Sequence, residues 1–382
     1  MDDQRIISNL IIGAGPAGLA VAGRMRLKQI PFKIIEASDL VACSWHQHYD
    51  RLCLHTVSEL SHLPGLPFPD DFPRYVPKDA LIKYYNQYVN HFDITPIFHQ
   101  NVVRIEKDGN LFLVKTADGN SYHTENVIVA TGANRVPRIP HWPGQESFAG
   151  TIIHSRNYQN TVPFHNQRVL VVGMGNTGAE IALDLAEQNI TILLSVRGPV
   201  SIVPRDLNGR PTQVTARLLE KIPFGWGDQL GNLIRLIYIG SLEKYGLTAS
   251  RIPPAIQLKK TGKTPVIDIG TVQKIKEGKI KVIPDIKTFT KDGVEDTEGR
   301  LHKINSVILA TGYKAQLDNF LFDTTDLLDQ YDVPKSPIGV NQYEGLYFVG
   351  FDNYKLGGVL GTIYNDSRSV VESIASKKLV AG

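Results

Sequence analysis

Cysteine is nearly absent from the chain. Of 382 residues only Cys43 and Cys53 are cysteines, ten positions apart. No CxxC pair exists, which argues against a disulfide reductase working through two adjacent thiols, and the pair reads as free thiols in a reducing compartment. Charge of either sign never gathers into a run and the net charge is +3. Neither nucleic acid nor a polybasic membrane contact is therefore expected. No apolar stretch reaches the roughly 20 residues of a spanning helix, so no transmembrane segment is expected. The start, Met1-Asp2-Asp3-Gln4-Arg5, is acidic and runs directly into an apolar strand, leaving no room for a signal peptide. The expectation is a cytoplasmic protein, with no metal. What remains is ordinary globular composition, 42% hydrophobic and 21% charged, in a chain long enough for about two domains.

The N-terminal stretch organises the rest. Leu10-Ile11-Ile12 passes into Gly13-Ala14-Gly15-Pro16-Ala17-Gly18 and then into helix-forming residues. In such a strand, turn and helix, Gly13 permits the tight turn and Gly15 admits a pyrophosphate. Gly18 lets helix and strand pack, and the helix amides face the anion. A second apolar strand, Phe32–Ile35, ends in Glu36, eighteen residues past Gly18, where an acid can accept from a ribose hydroxyl. Trp45, after a short polar turn, is either core or a wall of that nucleotide site. Leu52 to Pro77 is rich in Pro and aromatics and reads as irregular. Lys78 to Phe92 has helical spacing. Strands follow near 102–105, 111–114 and 122, with a turn at Asp118-Gly119. A buried strand then breaks at Ala130-Thr131-Gly132, where the chain can leave the first domain beside a cofactor.

A second fingerprint follows 160 positions after the first: Val169–Val172, Gly173-Met174-Gly175-Asn176-Thr177-Gly178 and a helix to Glu187. Its second strand ends in Ser195-Val196-Arg197, with no acid where Glu36 stood. Arg197, with Ser195 beside it, suits a 2′-phosphate. Two fingerprints that differ in this way mean two different nucleotides, FAD at the first and NADPH at the second. Trp226 to Tyr245 is apolar with helical period, interrupted by Gly231 and Gly240, and reads as a buried or lid helix, with a membrane-surface helix as the lesser alternative because basic residues are sparse. Pro265–Ile269 and Ile280–Ile283 read as strands returning to the sheet. Ala310-Thr311-Gly312 repeats the earlier strand-and-turn pattern, so the chain crosses back there. A last strand carries Asp352 at its end and runs into a terminal helix whose start could face a flavin. The fold class is α/β with two Rossmann-like dinucleotide-binding domains. The first comprises 1–145 and 305–382; the second comprises 146–304, with a helical insertion around 205–260.

Between the fingerprints, Phe148, Gly150, His154 and Tyr158 stand in the spacing FxGxxxHxxx(aromatic). This resembles the signature of the class B flavin-containing monooxygenases. The likeness extends over nearly the whole chain and is strongest to the YUCCA-type enzymes, through Leu63–Lys78, Val203–Arg210, Thr261–Gly270, Ile308–Tyr313 and Gly345–Phe351. The resemblance implies that Gly13, Gly15, Gly18 and Glu36 hold FAD and that Gly173, Gly175, Asn176, Gly178 and Arg197 hold NADPH. It implies that His154 positions the linker between domains. Where mammalian-type members carry a catalytic-face Asn, this chain has His55, in a Leu-His pair as in the YUCCA type. A structural and a catalytic role for His55 stay equally open.

The resemblance implies reduction of the flavin by NADPH, reaction with O₂ to a C4a-hydroperoxide, and oxidative decarboxylation of an aryl 2-oxo acid such as indole-3-pyruvate to indole-3-acetate. Partners would be that small molecule and O₂; a homodimer stays open. Arg74, Lys78, Arg205 and Arg210 are candidate cations for the substrate carboxylate. Three other readings have distinct signatures. They are N- or S-oxygenation of a small soft nucleophile, an NADPH reductase or oxidase releasing H₂O₂, and a binding module without turnover.

Overall fold

The computed structural model describes residues 6–219, 222, 226–352, 354–355 and 357–381. Residues 1–5, which carry the reading of the chain start, lie outside the described residues. The chain forms two compact units. One comprises Met1–His46, Thr56–Val136 and Tyr313–Gly382, the other Gln47–His55 and Pro137–Gly312.

In the first unit the strand Ile7–Ile12 lies between two parallel partners, Lys33–Ile35 and Ser121–Val129. The long strand then forks. Its first half pairs antiparallel with Leu111–Thr116, which pairs with Val102–Asp108, and its last three residues pair in parallel with Leu346–Phe348. The sequence explains the fork. Val127, Ile128 and Val129 are all fully buried, as a strand covered on both faces requires, whereas residues 121–126 include exposed positions facing a half-solvated hairpin. Asp118 builds the tip of that hairpin by accepting from Thr116 Oγ1 and the Asn120 amide.

The Pro-rich stretch before Lys78 has only one short helical turn, Ser58–Leu60, and is ordered by tyrosines of the helix Lys78–His91. Tyr84 accepts from the Leu63 amide (2.8 Å) and donates to the Leu66 carbonyl (2.6 Å), while Tyr88 donates to the Pro64 carbonyl (2.6 Å). Two buried phenols thus satisfy loop backbone that no strand pairs with.

The helix Gly358–Ala381 packs on Pro16–Leu27, where Arg24 donates to Ser367 Oγ (3.0 Å) and the Tyr364 carbonyl (3.2 Å). Asp366 of the same helix is buried and accepts from the Gly350 amide (3.1 Å). Burial pushes its carboxyl up to about 6, with the Gly350 amide opposing the rise. Between an unfolded value near 3.9 and this one, the folded protein holds a proton that the unfolded chain releases, so stability falls as pH rises through that window. The cost, about 3 kcal/mol, is fully present above the folded value. Asp366→Asn keeps an acceptor for Gly350 without the charge. Its melting temperature should therefore exceed the wild type at pH 8 and match it at pH 4; an equal gain at both would refute the assignment.

In the second unit five strands are all parallel, in the order Ile280–Ile283, Thr191–Ser195, Arg168–Val172, Ser306–Leu309, Thr151–His154. The helices Asn176–Glu187 and Thr271–Lys276 pack together. An antiparallel meander, Ile286–Thr290, Gly293–Asp296 and Leu301–Lys303, precedes the return strand.

Two expectations change here. Val266–Asp268 does not rejoin the main sheet; it pairs in parallel with Ile202–Pro204 as a separate ribbon. The apolar helix Trp226–Ile239 runs through Gly231 and stops at Gly240, whose φ is +72°. It is not a buried helix: Trp226 and Ile237 are 69% and 71% exposed, while Arg235 is buried. Hydrophobic period reports a face, and tertiary contacts decide which face is covered. Among the described helices none is long and apolar enough to cross a membrane.

Candidate functional site

The two glycine turns are geometric copies. Gly13 and Gly173 have φ of +107° and +102°, and a Cβ on either would stand 2.6 or 2.7 Å from the carbonyl of Ala130 or Ala310. Gly18 and Gly178 would each put a Cβ 1.9 Å from the carbonyl of Gly13 or Gly173. Gly15 and Gly175 differ from these. Their backbones are extended, with φ of −80° and −90°, and a Cβ on either meets nothing within 4 Å. Neither conformation nor packing explains these two glycines; what each leaves is open space at a helix start where a ligand could approach. Each caps a helix with no acidic residue in its first turn, so the positive end of the helix is left for an anion.

In the first unit Glu36 stands beside its turn. Its carboxylate accepts from the Ala14 amide (2.7 Å), the Ser38 amide (2.9 Å) and Ser38 Oγ (2.8 Å), leaving about one of its four acceptor positions for a hydroxyl. Thr131 follows the carbonyl that backs Gly13, and its Oγ1 is enclosed without a hydrogen-bond partner among the described residues. Gly132, at φ +86°, has open space where a Cβ would be. An orphaned hydroxyl and two open glycines beside one helix start suit a bound dinucleotide. Ala17 is buried in the helix, and Trp45, half-buried in Cys43–His46, meets Tyr85 at 6.0 Å. Asp352 accepts from the Tyr354 amide (2.9 Å) and pairs with Lys355 (2.7 Å) ahead of the terminal helix.

In the second unit Gly173 N–H donates to the Ser195 carbonyl as Gly13 N–H donates to Ile35. That register puts Val196 where the first unit has Glu36. Arg197 follows it, exposed. Ser195 is not beside it at the surface: it is buried, and its hydroxyl donates to the Pro284 carbonyl (3.0 Å). Asn176 opens the helix but turns its Oδ1 to the Ile267 amide (2.7 Å), tying the ribbon that flanks the insertion to the glycine turn. Thr311 donates to the Arg138 carbonyl, and Gly312 has φ +84°.

The pyridine nucleotide-disulphide oxidoreductase family model matches residues 10–209, more than half of the chain. Two curated relatives are 36% identical: "Probable indole-3-pyruvate monooxygenase YUCCA3" of Arabidopsis thaliana, covering 96% of this chain and 86% of its own, and "Indole-3-pyruvate monooxygenase YUCCA1" of Oryza sativa subsp. japonica, covering 96% and 90%. The chain belongs to the class B flavin-containing monooxygenases, YUCCA type. Among solved structures, a flavin-containing monooxygenase from Stenotrophomonas maltophilia superposes with a TM-score of 0.74 at 19% identity over 97% of this chain and 98% of that one. An oxidized steroid monooxygenase bound to NADP gives 0.76 at 17% identity over 98% and 85%. Both share the two-dinucleotide fold. This chain is a flavin-dependent monooxygenase, and FAD and NADPH are the cofactors of its family.

The signature residues Phe148, Gly150 and His154 all pack within the second unit. Phe148 meets Phe289 edge-on at 5.5 Å, and a Cβ on Gly150 would stand 2.2 Å from the Asn305 carbonyl. His154 is buried with both ring nitrogens engaged: Nδ1 accepts from the Arg156 amide (3.1 Å), so Nε2 carries the proton and donates to the Gly312 carbonyl (3.2 Å). Burial pushes its pKa down, which keeps that neutral tautomer. A ring so occupied anchors the last residue of its unit.

His55 lies in a short strap, Gln47–His55, that packs within the second unit. Arg51 pairs with Asp184 (3.2 Å) and Glu187 (2.8 Å) of the helix Asn176–Glu187, Tyr158 donates to Asp184 (2.6 Å), and His55 Nε2 approaches Glu180 Oε1 at 2.6 Å. Glu180, Asp184 and Glu187 form one acidic stripe at helical spacing. The stripe is readable in the sequence only beside its partners, Arg51 and the His55 imidazole four positions apart. Burial, then the Glu180 charge, push the Cys53 thiol up, so it stays protonated and unreactive. Neither cysteine forms a disulfide.

Proposed function

We propose that the protein is an NADPH-dependent FAD monooxygenase that oxidatively decarboxylates an aryl 2-oxo acid such as indole-3-pyruvate to the corresponding acetate, in the cytoplasm. The observation that carries the substrate class is 36% identity over 96% of the chain to proteins named for that reaction. The overall balance is 2-oxo acid plus O₂, NADPH and H⁺ giving the shortened acid, CO₂, H₂O and NADP⁺. One oxygen atom enters the new carboxylate and the other leaves as water.

In this reading the first unit holds FAD at Gly13, Gly15, Gly18 and Glu36, and the second holds NADPH at Gly173, Gly175, Gly178 and Arg197. FAD supplies the oxygen chemistry after taking hydride. The chain's own residues bind the two nucleotides, keep water out and manage protons. Of the four candidate cations for the substrate carboxylate, Lys78 is buried at a helix start and Arg205 pairs with Asp206 (3.2 Å). Arg210 stands exposed on a hairpin turn and Arg74 in the Pro-rich loop.

Purified holoenzyme given NADPH, air and indole-3-pyruvate should release one CO₂ per NADPH consumed. An N- or S-oxide from an amine or thioether with no CO₂ from any 2-oxo acid would replace this reading with oxygenation of soft nucleophiles. H₂O₂ equal to NADPH whatever the addition would replace it with an oxidase.

A further inference from the structure

Glu180 is buried on the helix that follows the second glycine turn, and its Oε1 is enclosed; so is His55 Nε2, 2.6 Å away. The pair is not aligned as a linear hydrogen bond, yet two lone pairs do not rest at 2.6 Å, so one proton lies between these atoms. A buried carboxylate of this kind needs such a partner. The His55 side chain is 18% exposed although Nε2 is enclosed, so the accessible part of the ring is elsewhere, and no described residue hydrogen-bonds Nδ1.

The backbone around His55 is placed without Glu180. Arg51 holds the strap through Asp184 and Glu187, the Asp50 amide donates to the Gln159 carbonyl (2.9 Å), and Asn160 donates to Asp50 (2.9 Å). What Glu180 adds is the orientation and protonation of one ring.

We propose that Glu180 is a positioning residue for His55. It keeps the shared proton on the Nε2 side and leaves Nδ1 as the lone pair that exchanges protons during turnover. The catalytic part of this rests on the monooxygenase reading above. The structural part stands alone.

The test uses holoenzyme carrying ¹⁵N-histidine, with two-bond ¹⁵N–¹H spectra and His55 assigned by its loss in His55→Gln. Wild type should show His55 protonated on Nε2 and bare on Nδ1. In Glu180→Gln the amide can donate to Nε2, so the proton should move to Nδ1, the wrong-tautomer effect of replacing an orienting carboxylate by its amide. FAD content and the KM for NADPH should stay within about twofold of wild type, while product formed per NADPH from the 2-oxo acid falls about tenfold or more.

A proton on Nδ1 in wild type, or an unchanged tautomer in Glu180→Gln, overturns the proposal; the wild-type spectrum decides even if the variant fails to fold. An inverted tautomer with unchanged coupling overturns the role in turnover. If wild type decarboxylates no 2-oxo acid, the substrate reading fails, and the tautomer result still judges the pair.

Discussion

Gly15→Val is expected to fold and to purify colourless. Gly15 has an extended backbone that any residue adopts, and a Cβ there meets nothing within 4 Å, so the polypeptide itself tolerates the side chain. The same open space is where the amides at the start of Pro16–Leu27 would meet a pyrophosphate, and two valine methyls would fill it. The loss of FAD affinity should be at least about a hundredfold, roughly 3 kcal/mol. The apo protein should melt within about 0.5 kcal/mol of wild-type apo protein, as a surface substitution without new contacts does. Flavin absorbance per chain and melting of the apo forms measure both parts. Gly18→Ala supplies the contrast: its Cβ would lie 1.9 Å from the Gly13 carbonyl, so it should lose the fold along with the flavin. Gly175→Val should stay yellow and fail to be reduced by NADPH. A yellow Gly15→Val would remove FAD from the first glycine turn.

These turns were legible in the sequence because their demands are local. Positive φ at Gly13 and Gly173, close packing at Gly18 and Gly178, and strand ends at Ile12 and Val172 are all set within a dozen residues. The helix Lys78–His91 was equally plain, since its period is its own. What stayed hidden depends on partners far along the chain. Val266–Asp268 looks like any core strand until Ile202–Pro204 takes it away from the sheet. Ser195 beside Arg197 suggests a joint phosphate contact, and only the Pro284 carbonyl, 89 positions on, shows where the hydroxyl goes. The strap Gln47–His55 carries no period at all. Its place is fixed by Arg51 against charges on a helix more than 120 residues later, although the helix announces them as Asp184 and Glu187 on one face. The motif residues Phe148, Gly150 and His154 were readable as a pattern, while their job, closing the packing around Asn305 and Gly312, was not.

Arg197→Ala should weaken NADPH about 10- to 100-fold, or 1.4–3 kcal/mol, and NADH less than about twofold, because a charge-assisted contact to a 2′-phosphate is available to only one of them. Three features of the strand end lead there. The matching hydrogen bonds of Gly13 to Ile35 and Gly173 to Ser195 put the apolar Val196 at the position of Glu36, so no carboxylate repels a phosphate or accepts from a 2′-hydroxyl. Ser195 is committed to Pro284, which leaves the phosphate to its neighbour. Arg197 is exposed, so its contact should weaken with added salt, and the NADPH preference of wild type should narrow accordingly. Arg197→Lys keeps the charge without the two-pronged geometry and should fall between the two. Anaerobic flavin reduction followed against each nucleotide gives the affinities directly. Equal losses for NADPH and NADH would mean that Arg197 supports the loop instead of reading the phosphate, and discrimination would then have to come from another residue of the 197–201 turn or from the 205–260 insertion.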